Sequence, residues 1–282
     1  MPRSPLLLLA PLAMLPLLAQ ADDCAFTATR SLDIDGAGLA SLRLDTGAGD
    51  LDVVGVAGLA RIEVRGKACS SEEEALAGIV LEQAREGSSV RVSTRIPDEG
   101  YSWRLFGSHY AYMDVEVRMP QALALALRDS SGDLDVSGVH GGLELTDSSG
   151  DITLRDLAGT VTLADSSGDI DLRGATGDVR VRSDSSGDID LVDVRGNVEV
   201  TQDSSGDIDI RDVTGNAGVG SDSSGDIGFS KIGGDVEVGA DGSGDIEASD
   251  VRGKLTVDRK AGGRDNIGYS RIGGAVSLPP EG

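Results

Sequence analysis

The octet DSSGDIDL spans residues 184–191, and close variants of it begin at residues 129, 147, 165, 203, 222 and 241. Successive starts lie 18, 18, 19, 19, 19 and 19 residues apart. A fixed period of this length marks a chain built from stacked units, none of which can bury its own apolar face alone. Counting each unit from its first Asp, positions 6, 8, 11, 15 and 17 are apolar in unit after unit. In the unit from Asp184 they are Ile189, Leu191, Val194, Val198 and Val200, and in the unit from Asp222 they are Ile227, Phe229, Ile232, Val236 and Val238. Apolar residues two apart, with Asp, Arg, Thr or Glu between them, carry the period of a strand with one buried face.

Each unit therefore predicts two short strands, and stacking of the units predicts an all-β fold, a parallel β-solenoid (β-helix) of 18–19-residue coils. Gly132, Gly150, Gly168, Gly187, Gly206, Gly225 and Gly244 stand at position 4, before the first strand. Gly141, Gly159, Gly177, Gly196, Gly215, Gly234 and Gly253 stand at position 13, between the strands. Glycine at a fixed place supplies a positive φ or a close approach of backbones, so the position-4 set is assigned as structural turn residues.

The final unit, AGGRDNIGYSRIGGAVSL from residue 261, keeps the inward positions but loses the corner. An outlying coil is predicted at residues 46–64, TGAGDLDVVGVAGLARIEV, with Leu51, Val53, Val56, Gly58 and Ile62 on the template. Residues 65–120 break the pattern. SSEEEALAGIVLEQAREG predicts a short helix with Ser71 as N-cap, acids in its first turn and an end at Gly87. Strand-like runs follow at Val90–Ile96 and Tyr112–Met119, separated by the aromatic loop PDEGYSWRLFGSHY. The helix and loop are expected to cap the solenoid and shield its edge.

At the N-terminus, Arg3, an apolar run from Leu6 to Leu18 and the small-residue site Ala19-Gln20-Ala21 have the form of a secretory signal. The chain accordingly divides into residues 1–21 as signal peptide, residues 22–128 as N-terminal coil and capping region, and residues 129–282 as β-solenoid repeats. Pro11 and Pro16 interrupt a segment already short of the roughly 20 residues that span a bilayer, so no membrane span is expected in the mature chain. The expected location is the periplasm, or the cell surface after secretion. Cys24 and Cys69 are the two cysteines of the chain. An oxidising compartment favours a disulfide between them, the alternative being two buried free thiols.

Acidic residues number 48 against 25 basic ones, a formal charge of −23, which excludes nucleic acid as a partner on electrostatic grounds. The acids are ordered. Asp129, Asp147, Asp165, Asp184, Asp203, Asp222 and Asp241 form one ladder at position 1, and Asp133, Asp151, Asp169, Asp188, Asp207, Asp226 and Asp245 form another at position 5. Charges stacked about 4.8 Å apart repel by roughly 1 kcal/mol even at the dielectric of water. Two readings meet this cost. The position-1 set is a candidate series of Ca2+ ligands, as in the calcium-binding corners of β-rolls, although Ile170 and Ile189 stand where those motifs place Asp. Alternatively Asp and Ser close each turn through local side-chain to backbone bonds, with repulsion relieved by solvent and salt.

No catalytic residues are assigned. His109 and His140 lie far apart in sequence, no GxSxG or HExxH occurs, and Asp pairs recur in every solvent-facing corner, so no one pair is distinguished. Tyr101, Trp103, Phe106, Tyr110 and Tyr112 are open to two readings, a contact patch for glycan or protein and the small core of a cap. Arg155, Arg173 and Arg211 at position 9 are expected to pair with nearby acids.

The secretory signal, the first GAGDLDVVGV unit, the helix-bearing excursion, the VEVRMP strand and the repeated SSGDIDL…GNVEV units together resemble the bacterial "putative adhesin" family of β-strand repeat envelope proteins, and are similar to head GIN domain proteins. The resemblance implies an exported β-helical protein with no established catalytic residues, and no cofactor is expected beyond the Ca2+ that the position-1 aspartates leave open. It points to an adhesin-like binding or structural role, with an envelope protein or glycan as partner. A calcium-dependent binding protein is the second reading and a polysaccharide-processing β-helix enzyme the third.

Overall fold

The computed structural model describes residues 24–97 and 109–280. Two sheets of twelve strands each face one another across a narrow apolar interior. The chain enters through β1 (Phe26–Asp35), β2 (Ser41–Asp45), β3 (Leu51–Val56) and β4 (Arg61–Ser70), and then α1 (Glu73–Leu76). It continues through β5 (Val80–Glu86), β6 (Ser89–Arg95), β7 (Ala111–Pro120), β8 (Ala124–Arg128) and β9 (Leu134–Ser137). From there strands alternate between the sheets, ending with Ile267–Ile272 in the first and Val276–Ser277 in the second.

The register follows the repeat. Ile170 pairs with Ile189 and Ile189 with Ile208 in the first sheet, while Val179 pairs with Val198 in the second. In the seven units from Asp129 to Asp241, no residue at positions 6, 8, 11, 15 or 17 is more than 3 % exposed. Burial of a Val, Leu, Ile or Phe side chain stabilises by about 1.5–3 kcal/mol, and each coil supplies four or five. The stacked parallel coils are the β-solenoid that the period predicts.

The glycines separate into two kinds. Those at position 4 have φ between 104° and 134°, and a Cβ on Gly187 would fall on the carbonyl oxygen of Gly168. At position 13 only Gly159 and Gly177 have positive φ, and close approach to the coil before is the shared constraint there. A second left-handed corner sits at position 10, where Asp156, Asp193, Asp212, Lys231, Asp250 and Arg271 have φ of 53–56°.

Three expectations change. The helix predicted from Ser71 to Gly87 is one turn, Glu73–Leu76, and Val80–Glu86 is instead an edge strand paired antiparallel with β6. Residues 46–64 form only half a coil: β3 takes its expected place, but Ile62 lies on β4, antiparallel to β7 in the same sheet. Nor is that half-coil outlying, because β3 pairs directly with β9 and β2 with β8, so both sheets run unbroken through residue 128. The third change concerns the position-1 aspartates and belongs with the site.

The end of the solenoid at which the chain enters is closed by antiparallel strands. β1 pairs with β4 along their full lengths, and Arg30 holds α1 against β1 through the carbonyls of Leu76 (2.9 Å) and Ile79 (2.8 Å). A disulfide joins Cys24 to Cys69 with their Cα atoms 5.8 Å apart. Among the described residues no helix is long and apolar enough to cross a membrane. The predicted signal segment, and Tyr101, Trp103 and Phe106 of the aromatic loop, lie outside the described residues.

Candidate functional site

The corner D-S-S-G-D is where the chain leaves the second sheet for the first, and each of its residues has one task. The position-3 serine hydroxyl donates to the position-2 carbonyl of the coil before, as in Ser167 to Ser148 (3.1 Å) and Ser205 to Ser185 (3.1 Å). At position 5, the carboxylate accepts the backbone N–H of its counterpart one coil later. Asp151 Oδ1 takes the amide of Asp169 at 3.1 Å, Asp169 that of Asp188 at 2.9 Å, and Asp188 that of Asp207 at 2.8 Å. A parallel series at position 14 runs from Asp178 through Asn197 and Asn216 to Asp235. Side-chain bonds thus do serve the corner, but mostly between coils and not within one.

Position 1 faces inward. The seven aspartates from Asp129 to Asp241 are only 1–5 % exposed, which corrects the expectation that solvent relieves their repulsion. They form a column beside the apolar interior. Thr46, at the same place in the first coil, donates its hydroxyl to Asp129 at 2.5 Å. At the other end Asp241 is the register partner of Lys260, whose Nζ lies 2.9 Å from Asp241 Oδ2, both side chains being wholly inaccessible.

Between those ends the carboxylates lack donors. Serine amides lie near enough to offset part of the electrostatic strain, yet hydrogen-bonding geometry is met only at Asp184, by Ser185 N–H at 2.7 Å, and at Asp222, by Ser224 N–H at 3.2 Å. Both oxygens of Asp147, Asp165 and Asp203 are without a partner. Burial, seconded by neighbouring carboxylates, pushes Asp147 and Asp184 up to about 6 and Asp203 up to about 7. Burial also raises Asp241, against the opposing pull of Lys260.

One carboxylate per coil does not make a calcium centre, which needs many oxygens on one point. Among the described residues no three His, Cys, Asp or Glu side chains converge in that way.

The exposed acids gather elsewhere. A shallow groove on the outer face of the first sheet is lined by Asp50, Asp52, Asp114, Glu116, Asp133, Asp135 and Asp151. Asp52 stands in register between Glu116 of β7 and Asp135 of β9. Like charges directly opposite one another destabilise a sheet. Desolvation, then Asp135 and Glu116, raise the Asp52 carboxyl above its ordinary range. Arg155 pairs with Asp135 at the groove itself (2.5 Å), and further along the same face Arg173 spans Asp171 and Asp190 while Arg211 holds Asp190 at 2.7 Å.

Tyr110 and Tyr112 lie with ring centroids 6.2 Å apart, and the Tyr110 hydroxyl accepts the amide of Ala25 at 3.0 Å, so this pair helps fasten the start of the chain. His109 pairs with Glu72 at 3.0 Å.

The family described as "Toastrack DUF4097" matches residues 18–174, and "Putative auto-transporter adhesin, head GIN domain" matches residues 103–247. No curated protein matches the chain. Among solved structures, a putative lipid binding protein from Parabacteroides distasonis is similar at 13 % identity and a TM-score of 0.43, over 92 % of this chain and 96 % of that one. A putative adhesin from Bacteroides fragilis is similar at 14 % identity and a TM-score of 0.35, over 90 % and 97 %. A putative adhesin from Parabacteroides merdae is similar at 11 % identity and a TM-score of 0.32, over 91 % and 97 %.

Proposed function

The chain belongs to the Toastrack DUF4097 family and equally to the head GIN adhesin family, and from that premise we propose a non-enzymatic, exported binding protein of the bacterial envelope. Its acidic first-sheet groove engages a basic protein surface or a cationic glycan. The observation that carries this reading is the rank Glu116–Asp52–Asp135, three acids opposite one another on adjacent strands. Arg155 already pairs with Asp135, but Asp52 at the centre of the rank keeps like charges on both sides, and a cation-bearing partner seated there would relieve that repulsion.

The groove is shallow and open, and among the described residues that line it the acids are joined only by Leu51, Val115, Leu134 and Thr153, with no histidine, cysteine or serine. That favours electrostatic contact over turnover. Crosslinking capture from envelope extracts tests the proposal, comparing the wild type with the variant Asp52→Asn, Glu116→Gln, Asp135→Asn. Capture that weakens with salt and is lost in the variant supports it. Equal capture by both proteins removes the groove from consideration.

A further inference from the structure

We propose that the buried aspartate column is loaded with protons in the folded protein, so that the solenoid takes up protons as it folds and loses stability as the medium turns from acid to neutral. Seven inward carboxylates share one buried ammonium, that of Lys260, which leaves six without a counter-charge. A carboxylate removed from water and left unpaired costs several kcal/mol, and the ordinary escape is to bind a proton.

Among the described residues the surroundings offer no other escape. From neighbouring coils and corners the charged groups facing the column are Asp50, Asp151, Asp169, Asp226 and Asp245, all of the same sign. Among the described residues Lys260 is the single buried cation, and the Thr46 hydroxyl at the opposite end is an uncharged donor.

Asp203 and Asp222 show the local chemistry. They hold the same position in successive coils, and as two buried carboxylates neither has a hydrogen to give the other, so both oxygens of Asp203 and Oδ2 of Asp222 stand without a partner. Burial raises both carboxyls, and one proton bound to either forms an O–H that can donate to the carboxylate of the other. One proton and one negative charge then serve two side chains.

Because these groups bind protons more tightly folded than unfolded, their stabilising contribution is complete below the unfolded value of 3.8. It is lost as pH rises through the folded values of about 6 to 7 at Asp147, Asp184 and Asp203.

The test is urea unfolding of the full-length chain at about pH 5 and about pH 8, beside the variant Asp147→Asn, Asp165→Asn, Asp203→Asn, whose amides keep the shape and remove the charge. The wild-type folding constant is expected to fall at least about a hundredfold between the two pH values, and the variant to lose most of that dependence. A flat or rising wild-type profile, or an unchanged slope in the variant, overturns the proposal. Saturable rescue of the wild type at the higher pH by sodium, potassium or calcium also overturns it, since the column would then hold metal cations. Should the variant fail to fold, carboxyl-carbon NMR of the folded wild type decides. Several aspartates titrating well above the ordinary range support the column, and all titrating near 4 rule it out.

Discussion

Lys260 Nζ stands 2.9 Å from Asp241 Oδ2 with neither side chain open to solvent, an ion pair that closes one end of the buried column. Lys260→Met leaves Asp241 without its counter-charge. Removing one partner of a buried ion pair typically costs about 3–5 kcal/mol. The loss is expected in full at about pH 8 and to shrink at about pH 5, where the raised Asp241 carboxyl accepts a proton instead. Urea midpoints at the two pH values check this, and a loss independent of pH contradicts it.

Asp188 accepts the amide of Asp207 at 2.8 Å near the surface. Asp188→Ala is expected to cost about 1 kcal/mol, the net worth of one such bond, while Asp188→Asn, which keeps an acceptor oxygen, costs less than half of that. Equal losses in both variants, measured by urea unfolding, would assign the effect to charge and not to the bond.

Glycine substitutions separate the corner from ordinary turns. At Gly187, with φ 128° and the Gly168 carbonyl occupying the space of a Cβ, alanine is expected to cost roughly 3 kcal/mol or more. At Gly58, with φ 72° and open space around it, alanine costs about 1 kcal/mol. Thermal denaturation of the two variants should rank them in this order.

One coil is removable. Deleting residues 184–202 joins Ser183 to Asp203 and brings Ile208 onto Ile170, the two present partners of Ile189. The deletion should fold with a loss confined to one coil and its interface. Ile189→Asp adds an unpaired charge at a wholly buried position and should destabilise by several kcal/mol. Circular dichroism and urea unfolding compare them; a deletion that does not fold beside a near-normal Ile189→Asp would refute the stacked-coil register.

The coil was legible because its inward side chains recur at fixed offsets, so that Ile189, Leu191, Val194, Val198 and Val200 each carry the same information as their counterparts in six other coils. Residues 80–86 were not. VLEQARE is rich in helix formers, and as an edge strand it is largely exposed, so it carries no alternation to oppose that propensity. Pairing with β6 decides its conformation.

The column at position 1 escaped for a different reason. Aspartate is ordinarily a surface residue, and a template built on apolar positions does not test it. The signal lay in the two ends, where Thr46 and Lys260 replace Asp at the same register, one supplying a hydroxyl and the other a positive charge. The left-handed corner at position 10 had a cue of its own, since Asp156, Asp193, Asp212 and Asp250 share the place with Gly174, and aspartate is one of the few non-glycine residues that tolerates it.

The position-5 bonds all point one way. Asp151 serves the amide of Asp169, and Asp207 serves that of Asp226, in each case a carboxylate of the earlier coil and an amide of the later one. A coil that settles onto its predecessor finds an acceptor already in place, whereas one that settles onto its successor leaves its own corner amide bare. The stack therefore has a grain, and a chain laid down from its N-terminal end is laid down with it.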